Sequence, residues 1–269
     1  MSTYIPLSEE PIRNQLARFG FQKSYQLHLF DSINSTNTYL KQLHPSQRIE
    51  ICCAELQTQG RGRFGRVWQA PSGENICCSS RWRFAQDLQA LSGLSLVVSL
   101  AILTTIKHFV ETPRLKVKWP NDILWNHKKL CGCLIELLSV SDTKVDVVVG
   151  IGLNVNTDTL NQPLSDKVWC SLFEMCGYTF DRNTIIALLI KNLDTYFTNF
   201  IEHGWRIFEK EWQEHDALLG SLVTLNQSSQ SIEGLAKGVN SLGQLVLENE
   251  SGLHYLSAGE ATLSFAPLD

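Results

Sequence analysis

From Leu88 to Ile106 the chain carries no charged side chain, and this stretch constrains the fold more than any other. It is close to the length that a membrane span needs. Ser92, Ser95 and Ser99, however, recur at helical spacing opposite Leu94, Leu96, Val97, Val98, Leu100 and Leu103, the pattern of a core helix with a small polar stripe. A helix this apolar needs a sheet to lie on. Hydrophobic residues make up 43% of the 269, enough for a packed core, and the length accommodates a large domain with a small one attached.

Two strands of that sheet precede the helix. Ile49 to Leu56 and Asn75 to Phe84 read as strands, and between them stands Gly60-Arg61-Gly62-Arg63-Phe64-Gly65-Arg66-Val67-Trp68. Its glycines give a pliable backbone and its arginines supply guanidinium groups that can close over an anion. Gly60, Gly62 and Gly65 match the spacing of a dinucleotide-binding turn, but Pro71, Ser72 and Gly73 follow where a helix must begin. A phosphate-binding P-loop is excluded too, because Arg66 and Val67 stand where Lys and then Ser or Thr are required. Two readings of the run remain: a phosphate clamp, or a solvated basic surface loop.

Upstream, Pro11 to Phe19 reads as a short amphipathic helix and Leu27 to Phe30 as a strand. Asn34-Ser35-Thr36-Asn37 then supplies short polar side chains suited to a helix N-cap, with Tyr39, Leu40 and Leu43 turned inward. The same hydroxyls and amides equally suit a clamp for a small uncharged ligand head. Downstream, Leu115, Val117 and Trp119 alternate with Lys116 and Lys118 until Pro120 ends the ladder, which delivers Asn121 and Asp122 at a strand break. Ile123 to Trp125, a turn at Asn126-His127-Lys128 and a return strand to Leu138 make a hairpin. It brings Asp122 and Lys129 to one end or one face, with the register left open. Gly132 marks a close approach by a ligand or backbone. After a turn at Ser141-Asp142-Thr143, Val145 to Val149 leads into Gly150-Ile151-Gly152-Leu153-Asn154. Glycines two apart leave one strand face bare, either as weak packing or as the floor for a flat ring with Asn154 at its edge.

Residues 183–201 form an amphipathic helix capped by Asp181 or Asn183, and Trp205 to Leu219 continues helically to Gly220. The texture then changes. Leu222 to Leu225, Ser231 to Val239, Leu245 to Glu248, Leu253 to Leu256 and Ala261 to Phe265 are short strands broken by Ser, Asn and Gly, which reads as a small β-barrel. The expected division is residues 1–218 and 219–269. Cys52/Cys53 and Cys77/Cys78 are adjacent pairs whose members face opposite sides of a strand, and no C-x-x-C is present, so the cysteines read as small buried residues. The start MSTYIPLSEEPIRNQ lacks the apolar segment of a signal peptide, and a cytoplasmic location is expected. A net charge of −4 confines basic character to the arginine run, and with residues 1–24 ahead of the first strand no DNA-reading winged helix is expected.

Ser35-Thr36-Asn37, the run from Gln57-Thr58-Gln59-Gly60 to Trp68, Lys118-Trp119-Pro120-Asn121-Asp122, Lys129-Leu130-Cys131-Gly132 and Gly150 to Asn154 together resemble the biotin protein ligase family. The resemblance covers roughly residues 30–160, and departs at Asn34, where many members carry Asp, and at Cys133, usually a branched apolar residue. It implies an α+β fold like that of class II aminoacyl-tRNA synthetases, a mixed and mostly antiparallel sheet with helices, followed by a C-terminal SH3-like barrel. It also implies a two-step, ATP-dependent reaction with Mg2+. The carboxylate of biotin attacks the α-phosphate to give biotinyl-5′-AMP, and a lysine of a biotin carboxyl carrier protein of acetyl-CoA carboxylase then takes the biotinyl group.

By the same resemblance, Ser35, Thr36, Asn37, Gln57, Gly60, Arg61, Gly62, Arg63, Trp68, Lys129 and Gly132 border biotin. Arg63, Arg66, Trp68, Lys118, Asn121, Lys129, Gly150, Gly152 and Asn154 border ATP or the adenylate. Arg61, Arg63, Asp122 and Lys129 carry the chemistry, Asp122 also as a Mg2+ ligand. The expected enzyme is of the monofunctional type, with no DNA or membrane partner, as a monomer or homodimer. A lipoate–protein ligase-like enzyme and a non-catalytic biotin-binding scaffold or regulator are the alternatives.

Overall fold

The uncharged segment is broken near its start. A 3-10 turn at Gln89–Leu91 leads to Gly93 at φ 87°, a left-handed backbone that disfavours any residue with a Cβ, and helix α3 begins after it. The computed structural model describes residues 5–141, 143–158, 169–226 and 231–263. Among these, the segment containing α3 is the one helical stretch long and apolar enough to cross a membrane, and it is the core helix of the fold, with Leu96 to Leu103 almost wholly buried.

In chain order the described helices are α1 (Glu9–Arg18), α2 (Thr36–Gln42), α3 (Leu94–Phe109), α4 (Leu172–Cys176), α5 (Arg182–His203) and α6 (Glu209–His215). The strands of the large sheet are β1 (Tyr25–Ile33), β2 (Ile49–Gln57), β3 (Ile76–Phe84), β4 (Leu115–Lys118), β5 (Asp122–Trp125), β6 (Lys128–Ser141) and β7 (Lys144–Leu153). They lie in the order β1-β2-β3-β7-β6-β5-β4. Only β1 and β2 run parallel, joined by the crossover that contains α2, so the sheet is mixed and mostly antiparallel as expected. One face packs on α1, α3 and α5 in the main core. The other carries α2, where Leu40, Cys52 and Val148 form a small second core. Adjacent cysteines part accordingly, Cys53 to the main core and Cys52 to the α2 side, and all eight are free thiols.

After His215 the chain leaves the helix that the sequence predicts as far as Leu219. Ala217 N–H donates to Val117 O at 2.8 Å, while Asp216 accepts from Leu218 N and Trp212 Nε1, so edge pairing with β4 replaces the last helical turn. β8 (Leu222–Asn226), β9 (Ser231–Val239), β10 (Leu245–Asn249), β11 (Gly252–Leu256) and β12 (Glu260–Leu263) then form an antiparallel sheet in the order β11-β10-β9-β8-β12. Phe265, expected in the last strand, and Asp142, expected in a turn, lie outside the described residues. The turn between β9 and β10 docks on the larger unit: Ser92 Oγ donates to Leu242 O, Trp119 Nε1 to Gly243 O and Trp205 Nε1 to Asn240 O. The short α4 has no counterpart in the sequence reading; its Ser171 cap opens only one turn of helix.

Candidate functional site

The α2 face of the sheet is where polar and small residues collect, and the strand register puts them there. Asp122 pairs with Gly132, Gly132 with Gly152, and Gly152 with Cys77; one step along, Leu134 pairs with Gly150 and Gly150 with Ser79. Side chains in register share a face, so these rows form a floor from β5 to β3. The bare patch is occupied by the protein itself. A Cβ on Gly150 would overlap the Asn37 carboxamide, and one on Gly152 would overlap the Trp68 indole. The flat ring on this floor is therefore Trp68. Asn154, expected at the edge of a ring, binds backbone instead: its Nδ2 donates to Cys170 O at 3.0 Å and its N–H to Leu130 O at 3.0 Å.

Lys129 reaches the site through an irregularity. Ile123 pairs with Cys131 but Leu124 pairs with Lys129, so Leu130 is an extra residue in β6. Without it Lys129 would share a face with Cys131 and point into the core. The bulge turns Lys129 to the other side, where its Nζ lies 2.6 Å from Asp122 Oδ1 and a Cβ on Gly132 would sit 2.9 Å from that Nζ. Asn126 and His127, at φ 47° and 62°, form the tight turn that closes this hairpin.

At the opposite end, Ser35 caps α2 with its hydroxyl accepting from Thr38 N–H, and Asn34 Oδ1 accepts from Ser35 N–H. The cap reading therefore holds, and Ser35 also lines the cavity. Thr36 N–H donates to Gln57 Oε1 at 2.9 Å, and Thr36 Oγ1 is 3.0 Å from that oxygen and 2.6 Å from Ser79 Oγ. This end is neutral and rich in hydrogen bonds.

The glycine-arginine run forms a small hairpin of its own. Trp68 N–H donates to Gly60 O, Gly62 N–H to Arg66 O, and Phe64 at the tip takes φ 55° with its ring largely exposed. Its three arginines fan apart. Arg61 pairs with Glu136 at 3.2 Å, Arg63 Nη1 donates to Asn121 Oδ1 at 3.2 Å and stacks on Phe64, and Arg66 forks onto Glu260 of β12. Asn121 is held in turn by donating to Cys133 O at 2.5 Å.

Ser35, Thr36, Asn37, Gln57, Arg61, Gly62, Arg63, Arg66, Trp68, Lys118, Asn121, Asp122, Lys129, Gly132, Gly150, Gly152 and Asn154 line one cavity of about 360 Å³. Gly60 stands behind its wall, against the Trp68 carbonyl. Burial lowers Lys118 below the usual lysine range, Asp122 opposing and Lys129 adding to the shift, and burial likewise lowers Arg63. Among the described residues no group of three or more His, Cys, Asp or Glu is placed to hold a metal ion. Sequence reasoning missed Ser79, Glu136, Glu260 and Trp169. Glu136 had a signal, being a charged residue in an apolar strand and on the same face as Gly132. Glu260 and Trp169 had none, since both arrive through tertiary contacts.

Residues 29–154 match the Biotin/lipoate A/B protein ligase family and residues 218–264 the Biotin protein ligase C terminal domain. The chain is 32% identical over 235 residues to the bifunctional ligase/repressor BirA of Escherichia coli, covering 87% of this chain and 73% of that protein. It is 30% identical over 262 residues to the biotin–acetyl-CoA-carboxylase ligase of Mycobacterium tuberculosis, covering 95% of each. Among solved structures, the biotin protein ligase of Aquifex aeolicus in complex with biotin and ATP superposes with a TM-score of 0.75 at 26% identity, over 90% of this chain and 99% of that one.

Proposed function

The chain belongs to the biotin protein ligase family, and from that premise we propose how its cavity activates biotin with ATP and passes it to a lysine of a biotin carboxyl carrier protein. The observation that supports this reading best is the polarity of the cavity. One end is neutral and hydrogen-bonding, at Thr36 and Gln57, and the other is cationic, at Lys118, Lys129 and Arg63. That matches a ligand with an uncharged ureido head and a carboxylate tail brought against a triphosphate.

In this reading Thr36, Gln57 and Ser35 hold the head, while Trp68 and Gly132 flank the tail. Lys129 exchanges its bond with Asp122 for one to the reacting oxygens. The carboxylate oxygen forms a bond to the α-phosphorus as the bond to pyrophosphate breaks, and Lys118, Lys129 and Arg63 offset the converging negative charge. One positioned group of this kind is worth about 3–4 kcal/mol in the transition state. Asp122, freed from Lys129, then orients the incoming lysine amine, whose nitrogen bonds to the acyl carbon as the bond from that carbon to the AMP phosphate oxygen breaks, the surplus amine proton leaving with the AMP phosphate or to solvent. The arginine hairpin over the cavity excludes water from the mixed anhydride. Mg2+ keeps much of its shell as water and substrate phosphate and needs only one or two carboxylates, so Asp122 would be the residue to hold such an ion, which would supply charge neutralisation at the phosphates. We further place the domain boundary between residues 218 and 219, and the enzyme in a reducing cytoplasm, where its free buried cysteines stay reduced.

The experiment is mass spectrometry of a purified biotin carrier domain after incubation with this protein, ATP, Mg2+ and equimolar biotin and lipoate. An ATP-dependent biotinyl shift on one lysine is expected. A lipoyl shift, or none, overturns the reading.

A further inference from the structure

We propose that Glu136 is a positioning residue that sets the hydrogen-bond polarity of the neutral end: it orients the Asn37 carboxamide so that Thr36 turns an acceptor toward the cavity and selects a ligand head that donates N–H. This deepens the biotin reading and rests on it. Glu136 lies two and four residues beyond Leu134 and Gly132 on the cavity face of β6. Its Oε2 accepts from Asn37 Nδ2 at 2.9 Å, and its Oε1 accepts from Lys41 Nζ at 2.9 Å and faces Arg61 Nη1 at 3.2 Å.

The consequence follows from counting hydrogens. An ionised carboxylate can only accept, so the NH2 end of Asn37 must face Glu136 and its Oδ1 must face Ser79. That oxygen is 2.5 Å from Ser79 Oγ and can only accept, so Ser79 spends its one hydroxyl hydrogen there. Between Ser79 Oγ and Thr36 Oγ1, 2.6 Å apart, the remaining donor is Thr36, whose other neighbour, Gln57 Oε1, is also an acceptor. A contact that short holds a hydrogen, so Thr36 supplies it to Ser79, and Gln57 Oε1 keeps the Thr36 N–H. With the Asn37 carboxamide reversed, Ser79 would supply it and the Thr36 hydrogen would be free to point at a ligand. What Thr36 offers a ligand is a lone pair, the complement of a ureido N–H. Burial pushes the Glu136 carboxyl upward, but the bonds from Lys41 and Asn37 and the charge of Arg61 outweigh it and hold the group below its usual range, ionised at neutral pH. A role limited to tying down Lys41 and Arg61 would not depend on which end of Asn37 faces it.

The test transposes the charge. Glu136→Gln leaves only the long 3.4 Å bond from Nδ2 to Leu134 O to hold the Asn37 carboxamide against turning over, and Asn37→Asp sets two carboxylates against each other. The double variant N37D/E136Q restores the original order, since the carboxylate introduced at position 37 accepts both from Ser79 and from the carboxamide introduced at position 136. Steady-state ligation with wild type first establishes the biotin activity; if wild type transfers no biotin, the functional reading fails rather than this one. Given that activity, each single variant is expected to raise the KM for biotin by about tenfold, the worth of one misdirected hydrogen bond, with the KM for ATP little changed. The double variant is expected to return to within about threefold of wild type, the departure from additivity being the signature of a coupled pair. Additive losses in the double variant, or an unchanged biotin KM in E136Q, overturn the proposal. If E136Q does not fold, the comparison of N37D with N37D/E136Q decides alone: recovery supports the proposal and no recovery overturns it.

Discussion

At the scale of single residues, the site turns on Lys129 and its contact with Asp122. The pair is partly exposed, at 33% and 18% of the side chains, so it contributes little to stability. Its worth lies in keeping an ammonium where negative charge converges. Lys129→Ala is expected to slow biotin-dependent pyrophosphate exchange by roughly 10²–10³-fold, the usual loss for one positioned group, with the melting temperature nearly unchanged. A wild-type exchange rate would remove Lys129 from the mechanism. Its presence in the cavity depends on the extra residue Leu130, which reverses the facing of every β6 residue before it.

At the scale of elements, two contacts hold the site's framework. The Trp68 indole packs against Gly152 of β7 because that residue has no side chain, which ties the end of the arginine hairpin to the sheet. Gly152→Ala is expected to displace that ring and destabilise the fold by about 1–3 kcal/mol, the range for overpacking, together with weaker adenylate binding; calorimetric titration with a stable adenylate analogue checks the second effect. On β2, Glu55 accepts from Arg182 Nη1 at 2.5 Å and from Leu7 N–H at 2.6 Å, and Arg182, 1% exposed, also donates to Ile5 O and Asn75 O. This buried cluster joins the N-terminal segment, β2 and the first turn of α5. Arg182→Met leaves Glu55 charged without its guanidinium, and a loss of about 3–5 kcal/mol is expected in urea unfolding. A change under about 1 kcal/mol would show that the cluster relaxes at little cost.

At the scale of the whole molecule, the small C-terminal sheet takes part in the cavity. Glu260 and Ala261 line it, and Arg66 of the hairpin reaches Glu260 across the two units. With Arg66 49% exposed, the pair adds little to global stability, so its effect belongs to the closed arrangement of the hairpin. Arg66→Ala and Glu260→Ala are each expected to speed adenylate release while leaving the melting temperature within a degree or two. Their double-mutant cycle should show a coupling of about 0.5–3 kcal/mol. Strictly additive effects on the release rate would mean that the two units act independently.

Local chemistry alone carried much of this protein. Apolar runs, alternation, caps and turn residues marked nearly every strand to within two or three residues, and the core helix except for its start, which Gly93 moves from Leu88 to Leu94, because those signals depend on neighbours along the chain. The separation of Cys52 from Cys53 and the Ser35 cap were legible for the same reason. Contacts between distant segments were not. The Leu130 bulge, the fanning of Arg61, Arg63 and Arg66 to Glu136, Asn121 and Glu260, and the filling of the Gly150 and Gly152 floor by Asn37 and Trp68 depend on register and docking. A one-residue shift along a strand leaves composition and periodicity intact yet exchanges the faces of the sheet, so only the folded chain decides which side chains meet.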